Sequence, residues 1–193
     1  SAPSTGSQNN LTLQAPSRAL TFTFTVKDGV PQYNLAFKGQ DLLANSRLSL
    51  VLADAPLTNG LQITGHKTSS RDETWKPVYG ERSSYRDRYN QLVANLADNQ
   101  TPPRQLRLTF RAYNEGVAFC YTLPKQHAME RISIAKENTG FRFLADHTAW
   151  AVYSAQGNYS TVTLSQIKPG CERPLTMQIA DDCYAAIGEA KLV

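Results

Sequence analysis

Apolar and polar residues alternate along this chain in short runs that end at turn residues. In Thr21–Val26 the two phenylalanines share one face with Val26 and the threonines share the other. Asp28-Gly29 follows, and alternation resumes across Tyr33–Phe37. Because Asp-Gly readily adopts the positive φ angles of a tight turn, this stretch predicts a β-hairpin.

The same pattern predicts two more hairpins. Leu106–Ala112 alternates, Asn114-Glu115-Gly116 supplies a turn, and Val117–Tyr121 alternates again. Near the other end, Asp181-Asp182 separates two short strand candidates, Leu175–Ala180 and Tyr184–Ile187.

Many short strands separated by turn residues are typical of an all-β sandwich or barrel. We predict a large two-sheet antiparallel β-sandwich, because a closed barrel needs more uniform strand spacing. Sustained helical periodicity is absent, and one helical turn is expected within Lys125–Lys136. The remaining strand candidates are Arg47–Leu52, Leu61–Thr64, Leu92–Leu96, Phe141–Phe143, Ala149–Tyr153 and Thr161–Leu164.

The pattern predicts one domain over residues 11–193, preceded by a flexible polar segment, residues 1–10. The longest stretch without a clear pattern runs from Lys67 to Asn90, and we interpret it as a long loop. Such loops are commonly functional or disordered. This one carries Trp75 and three tyrosines, so we expect it to pack against something rather than to be disordered.

Composition excludes some function classes. The net charge is +4, and acidic residues interrupt the most basic stretch, Lys67–Arg88, so a nucleic-acid surface is not predicted. No apolar run approaches the roughly 18 residues that a membrane span needs. The start Ser1–Ser4, rich in small polar residues, fits a processed mature end and an ordinary frayed terminus equally well.

Three cysteines are too few for a disulfide scaffold. Cys120 lies in an apolar strand candidate, and we predict that it is buried. Cys171 and Cys183 flank a strand pair, and they either form a disulfide in an oxidising compartment or remain free thiols.

The sequence contains no recognisable catalytic motif of its own. His66, His127 and His147 are scattered, no Gly-x-Ser-x-Gly elbow occurs, and no His/Cys cluster predicts zinc. Glycoside hydrolysis needs two carboxyl groups across a cleft. The candidates are Asp72, Glu81, Asp87 and Glu189, and the default interpretation of each is a surface carboxylate.

Aromatic side chains on a β-sandwich can stack on sugar rings, or they can simply fill the core. We predict that Trp75 and Glu81 contact an oligosaccharide substrate. The other aromatic candidates for stacking are Tyr79, Tyr85, Trp150 and Tyr153.

Several local motifs, in their order and spacing, resemble the N-terminal domain of glycoside hydrolase family 97. The strongest is Leu108–Tyr121 (LTFRAYNEGVAFCY). The similarity covers roughly residues 11–193. The other motifs are Ala44–Leu50 (ANSRLSL), Glu73–Glu81 (ETWKPVYGE), Tyr85–Leu92 (YRDRYNQL), Arg173–Thr176 (RPLT) and Ile187–Ala190 (IGEA).

The resemblance implies the N-terminal domain of a bacterial, exo-acting α-glycosidase, mainly an α-glucosidase or α-galactosidase, that is periplasmic or secreted. It implies a galactose mutarotase-like super-sandwich that packs on a catalytic (β/α)8 barrel of the same polypeptide. Catalytic carboxylates belong to the barrel, so no catalytic residue is assigned here and this chain alone is expected to be inactive. It also implies a calcium ion held mostly by glutamates, one of which corresponds to Glu189.

Two departures accompany the resemblance. Cys120 stands where many relatives have arginine, and the chain stops at Val193 before any barrel. We therefore expect either a fragment or a domain that works with another component. The alternatives are a stand-alone carbohydrate-binding β-sandwich module and a purely structural interaction domain.

Overall fold

The computed structural model describes residues 10–53, 56–127, 129 and 131–189, and these residues form an all-β fold. One 3-10 turn, Leu164–Gln166, accompanies the strands. The strands are β1 (Asn10–Gln14), β2 (Leu20–Lys27), β3 (Val30–Phe37), β4 (Gln40–Arg47), β5 (Leu50–Leu52), β6 (Pro56–Leu57), β7 (Gln62–Trp75), β8 (Tyr85–Ala97), β9 (Gln105–Ala112), β10 (Val117–Thr122), β11 (Ile134–Glu137), β12 (Thr148–Ala151), β13 (Ser160–Thr163), β14 (Leu175–Ala180) and β15 (Cys183–Ile187).

The strands are arranged in two compact units. The first unit runs to Arg142 and contains sheets in the orders β1-β2-β3-β4, β10-β9-β8-β7 and β11-β5-β6. The second begins at Phe143 and contains a sheet in the order β13-β12-β14-β15. Residues 1–9 of the predicted flexible segment lie outside the described residues, and the single domain over residues 11–193 stays a prediction.

Two antiparallel sheets of the first unit enclose an aromatic core. Along β2, buried and partly exposed residues alternate, so Phe22 and Phe24 point inward as the period-2 pattern predicts. Their ring centroids lie 4.7 Å and 5.0 Å from that of Phe110 on β9 of the opposite sheet. All three side chains are fully buried, and burial of a phenylalanine contributes roughly 1.5–3 kcal/mol. The predicted β-sandwich is therefore confirmed.

The predicted hairpins also form. Asp28 and Gly29 have φ angles of 52° and 76°, so both central residues of the β2–β3 turn are left-handed. β9 pairs with β10, and β14 pairs with β15, each in antiparallel register.

The long loop predicted from Lys67 to Asn90 is wrong. Most of it belongs to β7 and β8, which pair from Gln62↔Ala97 to Trp75↔Tyr85. Its strand character escaped detection because β7 carries polar residues on both faces, so no apolar alternation marks it. Only the connection between Trp75 and Tyr85 lies outside the two strands.

The predicted burial of Cys120 is also wrong, because the Cys120 side chain is exposed. On β10 the residues Val117, Phe119 and Tyr121 take the more buried face, so the period-2 alternation turns Cys120 outward. Cys171 and Cys183 are half-buried, and both are free thiols in the structure.

Two smaller expectations fail as well. The described residues of Lys125–Lys136 contain no helical turn, and their last part forms β11. Phe141 and Arg142 lie outside any strand, although a strand was expected at Phe141–Phe143. No helix in the described part of the chain has the length and apolar character needed to cross a membrane.

Candidate functional site

The outer half of the β7–β8 hairpin, residues 66–88, carries both predicted substrate-contacting residues, and we call it the arm. Every β7 residue from His66 to Trp75 is exposed, whereas β8 becomes buried at Tyr89 and then at alternate residues from Leu92. A strand pair without an apolar face needs cross-strand side-chain contacts to hold it. Such contacts are present on both faces of the arm.

On one face, Asp72 binds two arginines. The Arg86 guanidinium donates two hydrogen bonds to the two Asp72 carboxylate oxygens, each 2.7 Å long. Arg88 Nε lies 3.5 Å from one of those oxygens. The hydrogen bonds from Arg86 lower the pKa of Asp72. Asp72 therefore remains a carboxylate at neutral pH and serves to join the two strands.

The opposite face carries a second ion-pair group and an aromatic pair. Arg71 contacts Glu73, and Arg71 Nε lies 3.7 Å from an Asp87 carboxylate oxygen. Trp75 stacks on Tyr85 with ring centroids 4.9 Å apart and an interplanar angle of 19°. The arm is thus an ordered hairpin whose end is marked by a stacked aromatic pair.

The two predicted substrate residues lie in this outer region of the hairpin. Trp75 is 54% exposed, so one ring face packs on Tyr85 while much of the side chain contacts solvent. Glu81 lies in the connection between the strands, is exposed, and has no hydrogen bond or ion pair among the described residues. Tyr79, in the same connection, is 90% exposed. Exposed rings can stack on a sugar, and an unpaired carboxylate can accept hydrogen bonds from its hydroxyl groups.

Asp72 and Asp98 are poorly suited to act as a general acid. A glycosidase acid needs a raised pKa. Asp98 is the buried carboxylate, and burial alone would raise its pKa. The Arg104 backbone N–H and guanidinium, together with the Gln100 N–H, outweigh burial and lower the pKa. Asp98 is therefore held ionised as a structural group.

A shallow groove of about 480 Å³ lies beside the base of the arm. The Asn90 side-chain amide donates to the Gln14 carbonyl oxygen across it, at 2.8 Å. Its walls contain hydroxyl and amide groups but no aromatic ring, so it lacks a stacking surface for sugar. The lining residues are Thr12, Leu13, Gln14, Thr68, Ser69, Ser70 and Asn90.

Glu189, the predicted calcium ligand, belongs to the second unit and follows β15. Its Oε2 lies 2.5 Å from Arg173 Nε, and the two side chains remain 43% and 55% exposed. The ion pair continues the β14–β15 register, in which Leu175 lies opposite Ile187. The sequence marked Glu189 but not its partner Arg173, because counting outward from Asp181-Asp182 reaches Pro174, and only the register shift between Gln178 and Ala180 brings Arg173 opposite Glu189.

The described residues do not by themselves fit a calcium site. Calcium takes six to eight oxygen ligands, often from several carboxylates. No group of three or more His, Cys, Asp or Glu side chains suited to a metal occurs in the described part of the chain. Glu189 would supply one ligand, and its carboxylate is already bound by Arg173.

The second unit also carries an aromatic pair, of which the sequence identified only one member. Trp150 on β12 and Tyr184 on β15 have ring centroids 6.0 Å apart, and Tyr184 is 58% exposed. Tyr153, another stacking candidate, accepts a 3.0 Å hydrogen bond from the Lys168 backbone N–H through its hydroxyl. That bond gives Tyr153 a structural role in holding its loop.

Known structures share this fold. A Glycoside Hydrolase Family 97 enzyme from Pseudoalteromonas sp. strain K8, in complex with acarbose, is 27% identical with a TM-score of 0.81. The match covers 87% of this chain but only 26% of that enzyme. A glutamate-to-glutamine variant of a family 97 enzyme from the same strain, in complex with panose, matches with the same identity, coverage and TM-score. A beta-arabinopyranosidase is 23% identical with a TM-score of 0.82, over 91% of this chain and 31% of that protein, and shows the fold alone.

The sequence itself matches a known family over almost its whole length. The family described as glycosyl-hydrolase 97 N-terminal matches residues 13–193. The order of motifs, the β-sandwich and the similar enzyme structures agree with this match. The chain therefore belongs to the N-terminal domain family of the family 97 glycoside hydrolases.

Proposed function

We propose that this chain is the non-catalytic N-terminal domain of a calcium-dependent, exo-acting α-glycosidase, either an α-glucosidase or an α-galactosidase. Its membership of the family over residues 13–193 carries the proposal. The similar Pseudoalteromonas enzymes bind acarbose and panose, which contain α-glycosidic linkages. We also propose a periplasmic or secreted location, which the resemblance to the family implies.

In this proposal the domain packs on a (β/α)8 barrel of the same polypeptide, and the barrel supplies the catalytic acid and base. Three carboxylates of this chain support that division of labour. The pKa of Asp72, Asp98 and Asp146 is lowered in each case, opposite to the change that a general acid needs. The domain would wall part of the substrate cleft and position Glu189.

We assign Glu189 as one calcium ligand, with the remaining ligands from the barrel. The ion when bound would act as a Lewis acid that polarises a substrate oxygen. Arg173 forms an ion pair with Glu189, so calcium binding by Glu189 would require this ion pair to open. Exchange of Arg173 for calcium would then accompany docking of the two domains.

The test uses the complete polypeptide and p-nitrophenyl α-glucoside or α-galactoside, with and without chelator. We expect chelation to abolish activity and Glu189→Gln to raise the calcium concentration needed to restore it. Glu172→Gln, at a nearby exposed glutamate, is the control and should leave that concentration unchanged. Full activity in the presence of the chelator, together with full activity of Glu189→Gln, would overturn the calcium assignment.

A second candidate function is a stand-alone carbohydrate-binding module, which the exposed Trp75 ring favours. It predicts that the isolated chain binds maltooligosaccharides, with Trp75→Ala abolishing binding and Glu81→Gln weakening it. Tyr159→Ala, at a tyrosine that is 65% exposed in the second unit, is the matched control. Absence of binding heat in titration calorimetry would remove this candidate and leave the first one standing.

A further inference from the structure

β7 is an unusually long edge strand. It is the last strand of its sheet and pairs only with β8 among the residues described. After a register shift between Ile63 and Gly65, the pairing runs without interruption to Trp75. Natural edge strands are usually protected by short length, bulges or proline, because their free N–H and C=O groups recruit further strands. The stretch from Gly65 to Trp75 has none of these three features, and the charged side chains that also protect an edge strand carry both signs here, so its outer edge is suited to a strand whose charges complement them.

Pairing of β7 with its own copy is restricted by the geometry of a sheet. Side chains directly opposite each other in an antiparallel pair lie on the same face. Alternate residues of one strand point to opposite faces. A strand can therefore pair with its own copy about a two-fold axis only when one residue lies opposite itself. The possible registers along the exposed part of β7 are then few, and their charges distinguish them.

Two of these registers bring opposite charges together, but the one centred on Asp72, which sets Arg71 opposite Glu73, also sets Asp72 opposite its own copy. With Ser70 at the centre, Lys67 lies opposite Glu73 of the second copy, and symmetry repeats the pair. With Ser69 at the centre, Lys67 would face Arg71, and with Arg71 at the centre that arginine would face itself. Lys67 has no ion pair among the described residues, so it is available to a partner. Charge complementarity thus selects the Ser70 register.

The same register brings an aromatic ring to a glycine. Trp75 lies opposite Gly65 of the second copy, again twice by symmetry. A Cβ built on Gly65 meets no heavy atom within 4 Å, so the space above its backbone is open. Trp75 is 54% exposed beyond its stack with Tyr85. A large ring over a glycine on a neighbouring strand covers backbone that is otherwise solvated.

We propose that two copies of this chain associate through β7, antiparallel and centred on Ser70, to form one continuous eight-stranded sheet from two four-stranded sheets. The contact is independent of the proposed glycosidase function. It rests on three observations in the first unit: an uninterrupted unpaired edge, a self-complementary charge order and an open glycine opposite an exposed tryptophan.

The first test is a charge-swap series of this chain in sedimentation velocity. We expect a concentration-dependent dimer whose dissociation constant rises about tenfold or more in Lys67→Glu and in Glu73→Lys, because each change makes two repulsive pairs. The double variant should recover the wild-type value. Lys168→Glu, with the same change of net charge in the second unit, should leave dimerisation unchanged.

The second test reads the register directly. In a Cys120→Ser background, Ser70→Cys should give a disulfide-linked dimer under mild oxidation, because residues directly opposite are within disulfide reach. Thr68→Cys should not, because in this register the two cysteines are separated by four residues along the strand, about 13 Å. Circular dichroism checks that each variant keeps its sheet content.

Four outcomes would overturn the proposal. They are a chain that is monomeric at every concentration, a dimer whose dissociation constant is unchanged by Lys67→Glu, a double variant that dimerises as weakly as the single variants, and equal crosslinking at the two cysteine positions.

Discussion

Gly29 and Gly39 allow a matched test of how closely the β2–β3 turn packs. Both occupy the second position of a two-residue hairpin turn, with φ angles of 76° and 80°. A Cβ added at Gly29 would lie 2.5 Å from the Gly60 backbone nitrogen and 2.8 Å from its Cα, whereas one added at Gly39 meets nothing within 4 Å. The Gly29 carbonyl also accepts a 3.0 Å hydrogen bond from the Leu61 N–H. Alanine therefore has the same backbone cost at both positions but a steric clash at only one.

The expected magnitudes follow from these two terms. A left-handed conformation costs a residue with a Cβ about 1–2 kcal/mol, and the loss of glycine's freedom in the unfolded chain offsets about 0.4–1 kcal/mol. Gly39→Ala should then lower the free energy of unfolding by about 0.5–1 kcal/mol. Gly29→Ala should lower the free energy of unfolding by about 1–3 kcal/mol more, because the new Cβ would clash with the Gly60 backbone, which cannot rotate away.

Urea unfolding followed by intrinsic fluorescence measures the difference. With a urea dependence of about 2 kcal/mol per M, an extra 2 kcal/mol lowers the midpoint of Gly29→Ala by about 1 M relative to Gly39→Ala. Equal midpoints for the two variants would refute the packing of this turn against Gly60.

Three further predictions concern the first unit. Asp98→Asn should lower the free energy of unfolding by about 2–3 kcal/mol, because Arg104 loses its ion pair with this buried carboxylate. The lowered pKa of Asp98 means that its contribution is present above about pH 4 and is lost as the pH falls through the folded-state pKa. Stability measured against pH should thus fall less steeply in acid for Asp98→Asn than for the wild type, and parallel curves would contradict this. Phe110→Ala should lower the free energy of unfolding, measured with urea, by about 3–5 kcal/mol, because the ring is fully buried between the sheets. A decrease below about 1 kcal/mol would contradict the central position of this ring. Brief iodoacetamide treatment of the native chain should label Cys120, detected by peptide mass spectrometry, and protection until denaturation would restore the buried assignment.

The elements that sequence reasoning identified share a one-sided apolar pattern. Phe22 and Phe24 alternate with threonine, and the structure buries them as that alternation predicts. The β2–β3 hairpin was predictable because Asp28-Gly29 has the conformational freedom its turn requires. In both cases a local cause, either side-chain period or turn chemistry, is sufficient.

The arm escaped sequence reasoning for the opposite reason. Asp72 and Arg86 are 14 residues apart, and their hydrogen bonds exist only once the register of β7 and β8 is set. Polar residues on both faces leave no period to read, so this segment looked like a loop. The predicted burial of Cys120 was wrong for a different reason. It rested on the apolar character of cysteine, whereas the alternation along β10 places Cys120 on the more exposed face.

The residues of the candidate site illustrate the same division. The family motifs located Trp75, Glu81 and Glu189 along the chain. The structure placed the first two on the arm and paired the third with Arg173. By itself the sequence determined the all-β class, the inward-facing residues of clearly alternating strands such as β2, and the family, because period-2 burial and motif order are encoded in neighbouring residues. Only the tertiary structure decided which charges meet and which edge stays open, because those follow from strand register, and register couples residues far apart in the chain.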